Sequence, residues 1–508
     1  MIVAIPSATI VGARGYPVSV EVHVGGGGVP GLTLLGLPDE SCREARDRVR
    51  SAIFAAGLTW PEKKIVVNLA PPHYRKVGSG LDLAVAVGVL VATGQLPLDS
   101  IEGVAFAGEL GLNGHVRRVP GVAPMVGVRT DLQWVVPTEC VAEARVAGAA
   151  GVRGVATLAE LAGALSGAAD WPDGAVAALE AAEPDAPDLA EVKGQPHARL
   201  ALEVAAAGGH HLLFVGPPGS GKTMLARRLP ALLPDLTPEE ALQVTMIHSA
   251  AGLSLPPSGL VTRPPFRAPH HSSSLASVVG GGAQVVRLGE ASLAHRGVLF
   301  LDEMGQFEAR VLDGLREAVE EGCVMVGRVQ QLRVPMPAGF QMIGATNPCP
   351  CGGTGAPGQC ACDERARTRY LGKLSGPLLD RFDLRVGVSR PDVDELLDGP
   401  PGESSAEVAA RVAVARRRAA DRQGQLNAAL GDTALAEHAP MTDPAAKLLR
   451  AEIERGRLTA RGYHRIRRVA RTITDLAGDA EEYVGEQAIA LALGMRAHVG
   501  SMATGLAA

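Results

Sequence analysis

A glycine-rich loop near the middle of the chain carries the residue types that a nucleoside triphosphate requires. Residues 216–223 read Gly-Pro-Pro-Gly-Ser-Gly-Lys-Thr, between an apolar run and a helix-forming run. Glycines let backbone N–H groups approach phosphate oxygens, a lysine balances the charge of the β- and γ-phosphates, and a hydroxyl binds Mg²⁺. We therefore predict binding of ATP or GTP with Mg²⁺ through the eight loop residues, Gly216, Pro217, Pro218, Gly219, Ser220, Gly221, Lys222 and Thr223.

Two carboxylates follow a second apolar run, residues 298–301. Hydrolysis needs one carboxylate beside Mg²⁺ and another that polarises the attacking water, so we assign Asp302 to the metal, with Thr223, and Glu303 to the water. Such a stretch by itself is also typical of a buried strand that ends in an acidic turn. A third strand-like run leads into Asn347, whose amide is suited to orienting water against the γ-phosphate.

The chain must build the elements that position these groups, and its 508 residues favour about three domains. Residues 1–165 mix alternating apolar runs with helix-like stretches and indicate an α/β domain. Residues 166–188 are rich in Ala, Pro, Asp and Glu, which is typical of a linker. Strand and helix runs alternate over residues 189–395, predicting a parallel sheet with its active edge at the strand C-termini. Residues 396–508 predict a helical bundle.

Composition excludes several classes of protein. No apolar run is long enough for a membrane span, and the N-terminus lacks the pattern of a secretory signal, so we expect a soluble cytoplasmic protein. Seven cysteines, four of them clustered, do not resemble a secreted disulfide framework. Because the net charge is −5 and aromatic residues make up only 3%, any nucleic-acid binding is expected to rely on local basic patches that contact phosphates.

The order of these motifs resembles that of the AAA+ ATPases, specifically their magnesium-chelatase-like branch. The loop, the acid pair and Asn347 are followed by Asp380-Arg381-Phe382-Asp383 and an arginine-rich helix. The resemblance implies a P-loop core in which Arg381 reaches the γ-phosphate held by a neighbouring subunit, and therefore a ring, usually a hexamer. The alternative is that Arg381 only pairs with Asp380 or Asp383 on one surface.

The arginine-rich helix is predicted over residues 458–471. Its arginines at 461, 465 and 468 have the spacing that places them on one helix face. The resemblance implies that this helix supplies a second arginine of the nucleotide site, and its position favours Arg461, with Arg465 next. A basic face exposed to solvent or contacting DNA phosphates remains the alternative.

Two further segments bear on what the motor acts on. Residues 265–282 contain His270, His271, three serines and several glycines, and the resemblance implies that such a loop faces a pore. Adjacent side chains of an extended segment point to opposite faces, which argues against a metal site at the histidine pair. An alternating stretch over residues 323–335, with Arg328 and Arg333, resembles a hairpin of related ATPases. Both segments suit contact with a DNA backbone, independent of sequence.

Four cysteines occupy a short Gly- and Pro-rich stretch after Asn347, namely Cys349, Cys351, Cys360 and Cys362. Four thiolates suit tetrahedral Zn²⁺, which would order a loop that has almost no core. Structural thiols without metal, or a redox role, are the alternatives. The run from Asn347 to Gly352 and the Arg-Ala-Pro-His-His run resemble those of the YifB/ComM subfamily. The resemblance to this subfamily extends over nearly the whole chain.

That subfamily has an N-terminal domain similar to the protease domain of Lon. A Ser-Lys protease needs a nucleophile with a neighbouring amine as base. By alignment the serine position holds Gly80 and the lysine position falls near Ala123, with Ser79 one residue out of register. The resemblance therefore implies a protease-like fold without peptidase chemistry. Arg75 and Lys76 are candidates for a DNA contact, with a solvated turn equally possible.

These observations lead to the expectation of a hexameric, ATP- and Mg²⁺-dependent DNA translocase or branch-migration helicase, acting in recombination or natural transformation. The residues expected to carry hydrolysis are Lys222, Thr223, Asp302, Glu303, Asn347, Arg381 and Arg461. The alternatives are the motor subunit of a metal chelatase, an ATP-dependent protease or unfoldase, and a scaffold that only binds nucleotide.

Overall fold

We describe the fold from a computed structural model, which covers residues 2–25, 29–172, 187–282, 286–329, 332–351, 362–374, 376–478 and 482–496. Most of the predicted linker therefore lies outside the described residues. Among the described helices, none is both long and apolar enough to cross a membrane.

The first part of the chain folds into three small sheets packed around helices, the smallest of which is the antiparallel pair β6 and β7. A four-stranded sheet has the order β1-β2-β4-β3, and a parallel three-stranded sheet has the order β5-β8-β9. Its strands are β1 (Ile2–Val11), β2 (Arg14–Gly25), β3 (Gly31–Leu35), β4 (Lys64–Ala70), β5 (Val104–Phe106), β6 (Glu109–Leu110), β7 (Val116–Arg117), β8 (Gln133–Pro137) and β9 (Gly151–Val155). Its helices are α1 (Glu40–Ala55), α2 (Asp82–Ala92), α3 (Val122–Val126), α4 (Val141–Val146) and α5 (Leu158–Ser166). Helix α2 is apolar and almost wholly buried, which explains why its sequence lacks an amphipathic period.

The middle part contains the predicted parallel sheet, and that prediction is confirmed. The strands are β10 (Leu212–Val215), β11 (Phe266–Arg267), β12 (Gly280–Gly281), β13 (Arg287–Leu288), β14 (Val298–Leu301), β15 (Cys323–Val329), β16 (Leu332–Pro337), β17 (Gln341–Thr346) and β18 (Leu384–Gly387). The helices are α6 (Pro196–Gly208), α7 (Lys222–Ala226), α8 (Pro238–Ala250), α9 (Leu275–Val278), α10 (Glu290–Leu293), α11 (Ala309–Glu321), α12 (Glu364–Lys373), α13 (Gly376–Leu379) and α14 (Val393–Leu397).

Five of these strands form one sheet in the order β11-β14-β17-β10-β18, and every adjacent pair is parallel. All residues of β10, β14 and β17 are buried, as expected for a parallel sheet covered by helices on both faces. Strand pairs align Val215 with Thr346 and Leu301 with Gly344, so the three strands end at one common edge. The predicted hairpin is also confirmed, because β15 and β16 pair antiparallel.

The last part is helical, as predicted: α15 (Ser405–Gln423), α16 (Asp432–His438), α17 (Asp443–Glu454), α18 (Ala460–Ala477) and α19 (Glu486–Gly494). Ser404 and Glu407 form a capping box at the start of α15. Buried apolar residues of α15, α18 and α19 join α6 and strand β10 in one core. The bundle is therefore packed directly on the sheet.

The first part also contacts the middle part through a buried polar cluster on α8. The Ser249 hydroxyl donates to Glu143 at 2.5 Å and accepts from the N–H of Ala123 at 3.2 Å. Arg118 donates to the carbonyl of Leu253 at 2.6 Å. Because Glu143 is nearly fully buried, this contact is specific, since an unpaired carboxylate there would be costly.

The predicted DNA contact at Lys76 is wrong. Lys76 is 0% exposed, and its amine donates to the carbonyls of Tyr74, at 3.0 Å, and Pro71. Burial lowers the pKa of Lys76 to about 8. The amine instead satisfies carbonyls of the turn after β4, which the sequence could not reveal because both partners are backbone atoms.

A buried histidine, His295, is expected to make the stability of the middle part depend on pH. His295 accepts from the N–H of Gly339 at 3.0 Å and lies 3.2 Å from the Gln243 amide oxygen, and burial lowers its pKa to about 4. Between about pH 6.5 and 4 the unfolded chain binds a proton that the native state excludes, so stability falls as the pH falls through this range. We expect acidification from pH 7 to about 5 to cost about 1–2 kcal/mol through this group.

Denaturant unfolding at both pH values checks this, with His295→Gln as the comparison. The variant keeps a side chain that can accept from Gly339 but does not titrate, so its stability is expected to fall less on acidification. An equal loss in wild type and variant would contradict the assignment to His295.

Candidate nucleotide site

The glycine-rich loop lies between β10 and α7, the strand-loop-helix setting that the motif predicts. A Cβ at Gly216 would lie 2.1 Å from the carbonyl oxygen of Val388, so only glycine fits beside the backbone that follows β18. Gly221 has φ of +89° at the start of α7, a conformation that favours glycine. The backbone, and not a side chain, therefore shapes the phosphate cradle.

Lys222 is nearly buried inside this loop. Its amine donates to the carbonyls of Gly216 at 2.7 Å and Pro217 at 2.8 Å, and to the Asn347 amide oxygen at 3.2 Å. Burial lowers the pKa of Lys222, while Asp302 and Glu303 oppose that shift. The amine is thus held at the carboxyl edge of the sheet, among the groups with which it was predicted to act.

Thr223 and Asp302 come together as predicted. The Thr223 hydroxyl donates to the Asp302 carboxylate at 2.8 Å. Neighbouring oxygen ligands in an octahedral Mg²⁺ shell stand about 2.9 Å apart, given metal–oxygen distances of about 2.0–2.1 Å. These two oxygens, from a hydroxyl and a carboxylate, therefore fit Mg²⁺ in type and spacing.

Glu303 lies at the same edge, in a left-handed backbone conformation with φ of +48°. Its half-exposed carboxylate lies 3.4 Å from Nδ1 of His271. Such strain in a residue other than glycine is a cost that the surrounding fold must support, and it is frequent at functional sites.

The histidine pair was interpreted wrongly in one respect. His270 and His271 do not point to opposite faces: their ring centroids are 4.1 Å apart. The segment turns after β11 and is not extended, so the alternation argument does not apply. Sequence reasoning thus missed His271 as a site residue, and its distance of 32 positions from Glu303 left no local signal.

Asn347 directly follows β17. Its contact with the Lys222 amine shows that it lies beside the glycine-rich loop. Tyr370, on α12, was not predicted: its hydroxyl lies 3.1 Å from that of Thr346, the last residue of β17. A Cβ at Gly305 would lie 2.4 Å from the Tyr370 ring. Tyr370 therefore supports the strand end from which Asn347 projects.

Gln195, which directly precedes α6, also contacts the glycine-rich loop. Its amide donates to the carbonyls of Ser220 at 2.7 Å and Ser389 at 3.2 Å. The buried Gln195 amide oxygen has no hydrogen-bond partner among the described residues. Gln195 thus joins the loop to the segment after β18 and leaves an acceptor at the nucleotide site.

Arg381 lies at the other edge of the sheet. Leu212 pairs with Leu384 at the start of β10 and β18, so Arg381 precedes this pair whereas the loop follows Val215. The four residues of β10 span about 13 Å, which separates Arg381 from the loop of its own chain. Arg381 pairs with Glu320 of α11, and not with Asp380 or Asp383, so the alternative pairing is wrong.

Arg461 lies near Arg381, in a cavity of about 620 Å³. Arg465 and Arg468 line the same cavity, which confirms that the three arginines of α18 share one face. Arg465 donates to Asp383 at 2.5 Å, whereas Arg461 is exposed. Burial and the nearby charges of Arg465 and Arg461 lower the pKa of Arg381. This cationic cavity therefore lies at the amino edge, away from Lys222.

Three of the four clustered cysteines lie together. The sulfur atoms of Cys349, Cys351 and Cys362 are all within 4.8 Å of one another. Cys360 lies outside the described residues.

Three family models match separate stretches of the chain. The model described as magnesium chelatase, subunit ChlI, matches residues 188–396, and its C-terminal counterpart matches residues 402–496. A model described as subunit ChlI of Mg-chelatase matches residues 20–139.

Three relatives are similar over nearly the whole chain. An uncharacterized protein of Mycobacterium tuberculosis is 43% identical over 492 residues, which cover 96% of this chain and 97% of the relative. The uncharacterized protein YifB of Escherichia coli is 40% identical, covering 96% of this chain and 95% of YifB. The competence protein ComM of Haemophilus influenzae is 38% identical, covering 97% of each.

Proposed function

Because the chain belongs to the YifB/ComM family of magnesium-chelatase-like AAA+ ATPases, we propose that it is a homohexameric DNA translocase driven by ATP hydrolysis. The proposed activity is branch migration of DNA in the cytoplasm, during recombination or natural transformation. One observation supports the proposed ring. The phosphate-binding loop lies at the carboxyl edge of the sheet, whereas Arg381 lies at the amino edge. A ring brings the amino edge of one subunit against the carboxyl edge of the next.

In this proposal each site is shared by two subunits. Lys222, Thr223 and Asp302 hold ATP and Mg²⁺, Glu303 takes a proton from the attacking water, and Asn347 orients that water. The neighbouring subunit supplies Arg381, with Arg461 beside it, to stabilise the charge of the transferring phosphoryl group. ATP and Mg²⁺ are the cofactors that this activity requires.

The proposed DNA contacts are the hairpin β15–β16 and the loop that contains α9 and β12. Arg328 and Arg333 are the charged positions of the hairpin, and the loop is rich in serine and glycine. Such groups suit phosphates and do not read bases, so binding is expected to be independent of sequence. The Haemophilus relative is a competence protein, which supports DNA as the proposed substrate.

For the N-terminal part we propose a Lon-like fold that has lost peptidase chemistry. A Cβ at Gly80, the aligned serine position, would meet Met125 at 3.4 Å and Val119 at 3.6 Å, both apolar. Ala123, at the aligned lysine position, is fully buried, and its N–H is bound to Ser249 of the ATPase part. The region is thus used for docking between domains, which opposes an ATP-dependent protease.

A chelatase motor subunit is the main alternative. The family models carry chelatase names over all three parts of the chain, including the N-terminal one, so domain composition does not separate the two activities. The two activities can be distinguished by testing whether DNA affects ATP hydrolysis.

We expect DNA to stimulate ATP hydrolysis severalfold, and the wild-type protein to move a three-strand DNA junction when ATP and Mg²⁺ are present. The double variant Arg328→Ala/Arg333→Ala is expected to keep its DNA-free ATPase rate and lose most of the stimulation. Its DNA affinity should also depend less steeply on salt, with a log-log slope smaller by about 2 if both arginines contact phosphates.

The matched control is Arg310→Ala, which removes an exposed arginine paired with Glu308 on the same ATPase part. This variant should respond to DNA as the wild type does. If DNA neither stimulates hydrolysis nor is remodelled by the wild type, the translocase proposal is wrong and the chelatase alternative gains.

A further inference from the structure

An arginine of the helical bundle holds the segment that carries Arg381. Nη1 of Arg465, on α18, donates to the Asp383 carboxylate at 2.5 Å and to the Arg381 carbonyl at 3.1 Å. Phe382, between these two partners, is fully buried in the core. The Arg465 side chain is itself only 14% exposed. One guanidinium of the bundle therefore fixes the backbone immediately before β18.

Asp383 is bound to α18 a second time. His210 lies with Nδ1 3.2 Å from the Asp383 carboxylate and with Nε2 2.8 Å from the Thr472 hydroxyl. Thr472 follows Arg465 by two helical turns, which places both residues on one face of α18. Although burial disfavours its charge, His210 and Arg465 hold the pKa of Asp383 well below its usual range. The Asp383 carboxylate is therefore ionised at neutral pH and joins the bundle to the sheet.

The setting of Arg465 differs from that of Arg461, which lies one turn earlier on α18. Both line the cationic cavity, but Arg461 is exposed there. Arg465 could reach a nucleotide of a neighbouring subunit only by leaving the buried Asp383 carboxylate, and an ionised group without its partner is costly to bury. The contacts of Arg465 therefore favour a role that acts through Arg381, whose carbonyl it binds.

We propose that Arg465 is a positioning residue for Arg381. By holding the Arg381 carbonyl and the Asp383 carboxylate, Arg465 sets the place at the amino edge from which the Arg381 guanidinium extends. A displacement of α18 is passed to Arg381 through these contacts. The proposal rests on the function proposed above, in which Arg381 completes the nucleotide site of a neighbouring subunit.

Replacing Arg465 with glutamine tests this role. The glutamine side chain is shorter and uncharged, so the paired contacts with Asp383 and the Arg381 carbonyl are lost. A misplacement of about 1 Å can cost about 10²-fold in rate, and we expect kcat for ATP hydrolysis to fall by about this factor. KM for ATP should change little, because the loop that binds ATP lies at the opposite edge of the sheet. Arg465→Lys, which keeps a charge beside Asp383, should recover part of the rate.

The matched control is Arg450→Gln, since Arg450 is exposed on α17 of the same bundle. This control should hydrolyse ATP at the wild-type rate. Circular dichroism shows whether each variant is folded, and Arg465→Lys replaces Arg465→Gln in every measurement if the latter does not fold. A folded Arg465 variant with wild-type kcat would contradict the proposal.

Mixed rings show on which side of the nucleotide site Arg465 acts. Arg465→Gln mixed with Lys222→Ala should regain up to about a quarter of the wild-type rate, because the former supplies intact loops and the latter supplies correctly held Arg381. Arg465→Gln mixed with Arg381→Ala should be no faster than Arg465→Gln alone, since no subunit then holds Arg381 in place. Differently tagged subunits recovered together show that mixed rings have formed.

The reverse pattern would overturn the proposal, because recovery with Arg381→Ala alone would place Arg465 at the nucleotide of its own chain. Low activity in both mixtures would leave Arg465 a purely structural role and would overturn it as well. Mixing Lys222→Ala with Arg381→Ala tests the proposed function separately. If that mixture recovers while Arg465→Gln with Lys222→Ala does not, the role of Arg465 is wrong, whereas failure of that mixture itself rejects the shared site.

Discussion

Replacing Glu303 with glutamine is expected to lower the rate of ATP hydrolysis by about 10²- to 10⁴-fold, the usual contribution of a general base. The amide has the shape of the carboxylate but cannot accept the proton of the attacking water. Lys222, Thr223 and Asp302 remain unchanged, so the affinity for Mg²⁺ and ATP should stay close to that of the wild type. The variant is therefore expected to trap ATP.

Phosphate release and the binding of a fluorescent ATP analogue measure the two quantities separately. Glu317→Gln is the matched control, because Glu317 is exposed on α11 and lies outside the site. That control should hydrolyse ATP at the wild-type rate. A Glu303→Gln protein that hydrolyses ATP normally would assign the base to another group, and loss of ATP binding would mean that Glu303 acts on nucleotide affinity.

The carboxyl edge of the sheet could be predicted from sequence because its groups follow strands directly. The loop after β10, the acid pair after β14 and Asn347 after β17 each come at the end of an apolar run, and parallel strands bring such ends together. Knowing the strand order was unnecessary for predicting that these groups meet. The arginine face of α18 could also be predicted, because the spacing of residues along a helix alone determines which of them share a face.

The contacts that sequence reasoning missed join elements that are distant along the chain. His271 reaches Glu303 because the segment after β11 turns, and Glu320 pairs with Arg381 because α11 packs against α13, the helix that ends just before Arg381. Lys76 was interpreted as exposed because a basic residue in a Gly-rich turn usually is, whereas here backbone carbonyls surround its amine. Such partners are selected by tertiary packing, and no local pattern encodes them.

Glu320 adds a consequence for assembly. The Glu320 carboxylate pairs with the Arg381 guanidinium of the same chain, and Arg316 also pairs with Glu320 at 3.0 Å. To reach a neighbouring subunit's phosphate, Arg381 must leave this partner. The Glu320 side chain is 38% exposed and that of Arg381 only 14%, so Glu320 can move away into solvent while Arg381 turns to a triphosphate.

Mixing two inactive variants is expected to restore ATP hydrolysis, provided that Arg381 acts on the neighbouring subunit. Lys222→Ala removes the phosphate-binding amine, and Arg381→Ala removes the arginine, with an expected loss of about 10³- to 10⁵-fold in rate. In rings assembled from equal amounts of both, about one interface in four pairs an intact loop with an intact arginine. Activity should therefore return to at most about a quarter of the wild-type rate.

The control mixture combines Arg381→Ala with the double variant Lys222→Ala/Arg381→Ala, which contains intact loops but no arginine and should stay inactive. Arg316→Ala alone removes a neighbouring surface arginine and should retain activity. Differently tagged subunits recovered together show that mixed rings have formed. If such rings remain inactive in the first mixture, Arg381 does not complete the site of another subunit. In that case the 13 Å separation of the two edges, about the length of β10, must be closed by movement within one chain.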